Sequence, residues 1–172
     1  QKPQAVVIEC MAVNPQYQWI SEHKMINSTI SVMTNVRPDH IDEMGLTLKD
    51  NAMSLSNTIP FNGKMVTVAG DVNLDGCINE VDTEINEIFR NVASKRNSEF
   101  YESSINDVPE DAMGKFKYLE HVDNVSLALK VCELSGVDTE QALKGMVNVQ
   151  PDPGATVIWE LQFSNIKVHF VN

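Results

Sequence analysis

Two stretches of this 172-residue chain combine side chains whose types and spacing could do chemistry. In the first, Ala5-Val6-Val7-Ile8 is a short, continuous apolar run, the pattern of a strand buried on both faces. It exits into Glu9-Cys10-Met11-Ala12-Val13-Asn14-Pro15. A second run of similar character, Thr29 to Val36, exits into Arg37-Pro38-Asp39-His40-Ile41-Asp42-Glu43-Met44-Gly45. Ligands of open α/β sheets bind beyond the carboxyl ends of the strands. If the two strands are neighbours, Glu9 and His40 lie side by side at that edge. A carboxylate and an imidazole converging there suit a divalent cation that bridges phosphate oxygens. The plainer alternative is that Glu9 ends a strand and the Asp39-His40 turn satisfies its own backbone.

The second stretch is Asp71-Val72-Asn73-Leu74-Asp75-Gly76-Cys77-Ile78-Asn79-Glu80-Val81-Asp82. Oxygen-bearing side chains at positions 1, 3 and 5, glycine at 6, an apolar residue at 8 and a carboxylate at 12 meet the needs of a twelve-residue calcium loop. Asp71, Asn73, Asp75 and Asp82 would supply side-chain oxygens, and Cys77 only its backbone carbonyl. Position 12 is Asp instead of Glu, and the residues before the loop read as a strand, not the helix that an EF-hand has there. A solvated acidic turn is the alternative.

The elements that must position these residues alternate. A polar stretch from Asn14 to Asn27 is expected to be helical in part. Thr47 can cap a helix from Leu48 to Asn57, stopped by Pro60. Lys64 to Ala69 alternates as a strand. From Asp82, Ile85, Ile88, Phe89 and Val92 fall on one helical stripe, and Phe100-Tyr101 has the character of a short strand. A helix from Asp123 or Asn124 would bury Val125, Ala128, Leu129 and Cys132 and end at Gly136. Another, capped by Asp138 or Thr139, runs to Val147. Strand-like runs at Ala155–Leu161 and Ile166–Val171 follow Pro151-Asp152-Pro153-Gly154. Strands alternating with helices imply an α/β fold, a mainly parallel sheet flanked by helices.

Charge narrows the classes. The formal net charge is −11, which argues against nucleic acid as a partner. Six acids between Asp71 and Glu87 and five between Glu99 and Asp111, with no Lys or Arg among either set, account for all of it. The remainder of the chain is neutral. No apolar run approaches the ~20 residues of a membrane-spanning helix. Cys10, Cys77 and Cys132 form no disulfide framework, which fits a reducing, cytoplasmic setting. The chain enters its first apolar run at once and ends on a strand pattern, so it is expected to be a piece of a longer protein.

Several long motifs carry a resemblance. These are Glu9 to Gln18, Thr34 to Gly45, Thr58-Ile59-Pro60-Phe61-Asn62-Gly63, Asp123 to Leu129, Gly145-Met146-Val147-Asn148, Pro151 to Ala155, and the terminal His169-Phe170-Val171-Asn172. Together they resemble the central domain of the Mur ligase superfamily and, more narrowly, the catalytic ligase subunit of poly-γ-glutamate (capsule) synthases. The resemblance implies that residues 1–172 are part of an ATP-binding domain, with residues 70–84 an insertion within it. It implies an ATP-dependent ligase in which a carboxylate is phosphorylated and an amine then forms the amide. Glu9 and His40 would hold magnesium and Asn124 would contact the nucleotide base. The implied partners are glutamate or poly-γ-glutamate and membrane-bound capsule synthase subunits, which would hold the protein at the inner face of the membrane.

There are departures. The glycine-rich loop with Lys-Ser/Thr that would cradle phosphates is absent from these residues, and so is the domain that brings the amine. The lysine that many Mur ligases carbamylate would fall near Leu55, which cannot serve; the capsule ligases also lack it, so this departure supports the narrower resemblance. An arginine expected shortly after Gly154 is Thr156 or Val157. By itself the chain is expected to be inactive. The run Gly70 to Gly76 is similar to dockerin calcium loops, which keeps a second class open: a non-catalytic calcium-binding interaction module on a ligase-like scaffold. A Mur-type ligase of another substrate is the third.

Overall fold

The computed structural model describes residues 3–69, 80–150, 158–159 and 168–169. They form two compact units, Gln1–Glu102 and Ser103–Asn172.

The first unit opens with α1 (Pro15–Ile20). Pro15 sits in its first turn, where a missing N–H costs nothing, and the Asn14 side chain accepts from the Gln16 amide at 3.0 Å. The helix continues as a π-helical turn, Ser21–Ile26, closed by Asn27 in the left-handed region at φ 52°. After β1 (Ile30–Met33) come α2 (Ile41–Met44), α3 (Leu48–Leu55) and a 3₁₀ turn, Ser56–Thr58. Thr47 caps α3 as expected, and does so in a reciprocal box with Asp50. β2 (Lys64–Val68) pairs parallel with β1, from Ile30 opposite Lys64 to Met33 opposite Thr67. Next come α4 (Glu80–Lys95) and β3 (Glu99–Ser103), giving the order β1-β2-β3.

The core lies where α3 and α4 pack on this sheet: Met33, Ala52, Ile59, Met65, Ile85, Phe89 and Ala93 are buried together, with Ile88, Val92 and Phe100 against them. The stripe expected on α4 is thus the one that packs. Met65, Val66 and Thr67 are buried in succession because β2 is the middle strand. β1 corrects its expectation: it is shorter than Thr29 to Val36 and alternates, with Ser31 and Met33 inside and Val32 exposed. Alternation of this kind marks a strand with one face on the core and the other, here that of Val32, left to solvent.

A larger correction concerns Ala5 to Ile8. This run is not a strand; it is irregular and exposed, with Val7 97% accessible. Apolar, β-branched composition confers a preference, but a strand exists only through its ladder partner, and this run has none among the described residues.

The second unit gathers Ala112, Val125, Leu129, Ala142 and Leu143 around α5 (Val122–Leu134) and α6 (Thr139–Val147). Gly136, at φ 79°, follows α5 as its left-handed stop, and Asp138 caps α6 by accepting from the Gln141 amide at 2.9 Å. Ala128 and Cys132 are half-buried and not fully buried as expected, whereas Ser126 and Leu127 are buried. β4 (Ile158–Trp159) and β5 (Val168–His169) form a separate antiparallel pair. Among the described residues no helix is long and apolar enough to cross a membrane.

Candidate functional site

Glu9 lies in the exposed segment that leads into α1. That segment is gripped from below by Gln18, which is 1% exposed. The Gln18 Nε2 donates to the carbonyls of Ala12 and Val13 at 3.1 and 3.2 Å, and its Oε1 accepts from Ser54 Oγ of α3 at 3.0 Å.

His40 precedes α2 with φ 44° and ψ 47°, a left-handed conformation uncommon outside glycine. Its N–H donates to Asp39 Oδ1 at 2.8 Å, and its Nε2 lies 3.6 Å from Asp39 Oδ2. The turn does satisfy its own backbone, and it also leaves the imidazole exposed. Asn51 of α3, 1% exposed, holds the loop at both ends. Its Oδ1 accepts from the Asp39 amide at 3.2 Å, and its Nδ2 donates to the carbonyls of Gly45 and Thr47 at 3.0 Å each. Gly45 has φ 105°, and a Cβ there would come within 2.4 Å of Asp50 Cβ, so a side chain is barred. Hydrogen bonds from the Thr47 hydroxyl and amide hold the Asp50 carboxyl below the usual carboxylate range.

The two segments meet through Asn14 and Glu43. Asn14 Nδ2 donates to Glu43 Oε2 at 2.7 Å across 29 positions. The neighbouring-strand argument for Glu9 and His40 therefore loses its premise, because Ala5 to Ile8 is no strand, while their segments are bonded to each other by another route. No group of three or more His, Cys, Asp or Glu is arranged to hold a metal among the described residues. Magnesium takes one or two protein carboxylates and completes its shell with water and substrate phosphate. Glu9, the one carboxylate of the pair, and the His40 imidazole are both exposed, on segments joined through Asn14 and Glu43.

Asn124 belongs to the second unit, exposed in the first turn of α5. Its Nδ2 donates to Glu120 Oε1 at 2.9 Å, the same oxygen that accepts from the His121 amide at 2.9 Å. The calcium-loop residues Asp71, Asn73, Asp75 and Cys77 lie outside the described residues. Asp82 falls in the first turn of α4, but its side chain is outside them too.

Sequence reasoning missed the buried amides, although Asn51 shows a signal: it interrupts the apolar stripe of Leu48, Ala52 and Leu55. It also missed Arg96, which donates to the carbonyls of Ser56 at 2.9 Å, Asn57 at 3.2 Å and Ile59. Beside it the His23 ring packs at a tilt between Trp19 and Phe61, ring centroids 5.1 and 5.0 Å away, with Nε2 3.0 Å from the Asn57 carbonyl. A shallow cavity of about 240 Å³ opens there, lined by Trp19, Glu22, His23 and Phe61 among others.

No family model matches the chain, and no solved structure matches it. Over 98% of its length, it is 38% identical across 169 residues to "Capsule biosynthesis protein CapB" of Bacillus anthracis. It is 39% identical across 168 residues, again 98% of its length, to "PGA synthase CapB" of Bacillus subtilis (strain 168). The matched region is 34% of the first protein and 39% of the second, so the chain spans between a third and two fifths of these relatives. Nearly every residue of this chain is thus aligned with proteins named for capsule and PGA synthesis.

Proposed function

We propose that this chain is part of an ATP-dependent amide ligase that builds poly-γ-glutamate. The observation that carries the reading is its similarity, over 98% of its length, to a capsule biosynthesis protein and a PGA synthase. In this reading the glutamate carboxylate takes the terminal phosphoryl group of ATP, and the amine of the next glutamate displaces it to form the amide. Glu9 and His40 hold magnesium, which when bound neutralises phosphate charge near the transferring group. Asn124 presents its amide to the nucleotide base. Glutamate or poly-γ-glutamate and the membrane-bound subunits of a capsule synthase are the partners, at the inner face of the cell membrane. The acidic insertion, with Asp71, Asn73, Asp75, Cys77 and Asp82, binds calcium as a structural ion beside the start of α4.

The test is glutamate-dependent ATP turnover by the full-length gene product. Glu9→Ala and His40→Ala are each expected to lower it on the order of a hundredfold, as loss of a group stabilising transition-state charge does. Undiminished turnover in both variants removes the magnesium assignment.

A further inference from the structure

The loop that carries His40 meets the core only at its start, through Val36; Arg37 through Glu43 are all exposed, and α2 buries no residue. No apolar side chain beside His40 is buried to hold this left-handed conformation, which persists only where its surroundings over-determine it. The segment around Glu9 is exposed in the same way as far as Met11. What fixes both is polar. Asn51 satisfies the Asp39 amide and the Gly45 carbonyl on either side of His40, and Gln18 satisfies two carbonyls of the segment between Glu9 and α1. Asn51 and the Ser54 that orients Gln18 stand three residues apart on α3, on one face of that helix. The Asn14–Glu43 bond joins the two gripped segments at their outer side. The result is a closed ring: α3, Asn51, the His40 loop, Glu43, Asn14, the Glu9 segment, Gln18, Ser54 and α3 again. A leucine at 51 would extend the apolar stripe of α3 but leave the Asp39 amide and the Gly45 carbonyl without their partner, so the buried amide serves the loop and not the core.

We propose that Asn51 and the Ser54–Gln18 pair are positioning residues that use α3 as a common platform to present His40 and Glu9 to one divalent cation. The proposal rests on the metal reading above. The probe is Mn²⁺, titrated into the ¹⁵N-labelled protein and read as paramagnetic broadening of the Ile41 amide beside His40. This signal is present in every variant and independent of turnover.

In the wild type the Ile41 amide broadens. In Asn51→Ala and in Ser54→Ala, with circular dichroism showing a folded chain, the Mn²⁺ concentration at half-effect rises about tenfold, the lower end for loss of a residue that orients a metal ligand. Ser54→Thr, which keeps the hydroxyl, returns toward wild type. If Asn51→Ala does not fold, Ser54→Ala, which removes one oxygen from a helix, carries the comparison. Unchanged broadening in the folded positioning variants, alongside loss in Glu9→Ala and His40→Ala, overturns the positioning role and leaves the metal reading intact. Wild-type broadening in Glu9→Ala and His40→Ala, or none in the wild type itself, overturns the metal reading and this proposal with it.

Discussion

Ser54 Oγ donates to Gln18 Oε1 at 3.0 Å, a buried bond between residues 36 positions apart that ties α3 to α1. Removing the hydroxyl leaves a buried amide oxygen without a donor. Ser54→Ala is therefore expected to lower stability by about 1–3 kcal/mol. Replacing both partners, Ser54→Ala with Gln18→Leu, is expected to cost less than the sum of the two single changes. A double-mutant cycle by urea denaturation measures the difference.

Arg96 gathers three carbonyls at the end of the α3 segment, Ser56, Asn57 and Ile59, where a helix has no internal donors left to offer. Burial lowers its pKa and the Glu22 carboxylate opposes that shift. Arg96→Met keeps the apolar stem but strands the carbonyls, and should cost about 2–4 kcal/mol. Arg96→Lys should recover only part of this, since an ammonium lacks the planar fork. Chemical denaturation of the three proteins ranks them.

His23 predicts a pH dependence. Burial first, then the nearby Arg96 charge, hold its pKa below 6.5, while the Asn57 carbonyl and Glu22 pull it upward and Lys24 downward. The folded state therefore favours the neutral ring. Between the lowered folded value and 6.5 the unfolded chain binds more protons, so stability rises with pH through that window. His23 contributes fully above 6.5, and its contribution fades as pH falls below. The melting temperature of His23→Gln should change less between pH 7 and pH 5 than that of the parent.

Calcium binding at residues 71–82 should register as heat in calorimetry at millimolar calcium, and Asp71→Ala with Asp75→Ala should abolish it. A chelator should then lower the melting temperature of the parent and leave that of the double variant unchanged. No heat from the parent removes the calcium assignment.

Features written within a few residues were legible in advance. The Thr47 cap, the cap expected at Asp138 or Thr139, which is Asp138, and the stop at Gly136 are local devices, and the structure forms each of them. The α4 stripe was legible because a helix keeps its period whatever it packs on. Ala5 to Ile8 was misread because strand formation is decided by a partner and not by the run itself. Gln18, Asn51 and Arg96 were invisible for a related reason: their bonds reach residues as far as 40 positions away, and nothing beside them in the chain encodes that. Of the candidate site, the chemistry-bearing side chains were legible and the polar ring beneath them was not.

The π-helical turn at Ser21–Ile26 sets how this segment tolerates a change in length. Each added or removed residue rotates an α-helix by about 100°, which would throw Glu22 from its contact with the Ser28 amide or turn Gln18 away from Ser54. A π turn already holds one residue more per turn than an α turn, as the Asn27 N–H bond to the Glu22 carbonyl at 2.7 Å records. Deleting one residue between Lys24 and Ile26 would relax the turn to α geometry and leave Gln18 and Glu22 in phase. The same deletion in α3 would separate Asn51 from Ser54 and break the platform. The chain thus carries a slack residue in one helix and none in the next.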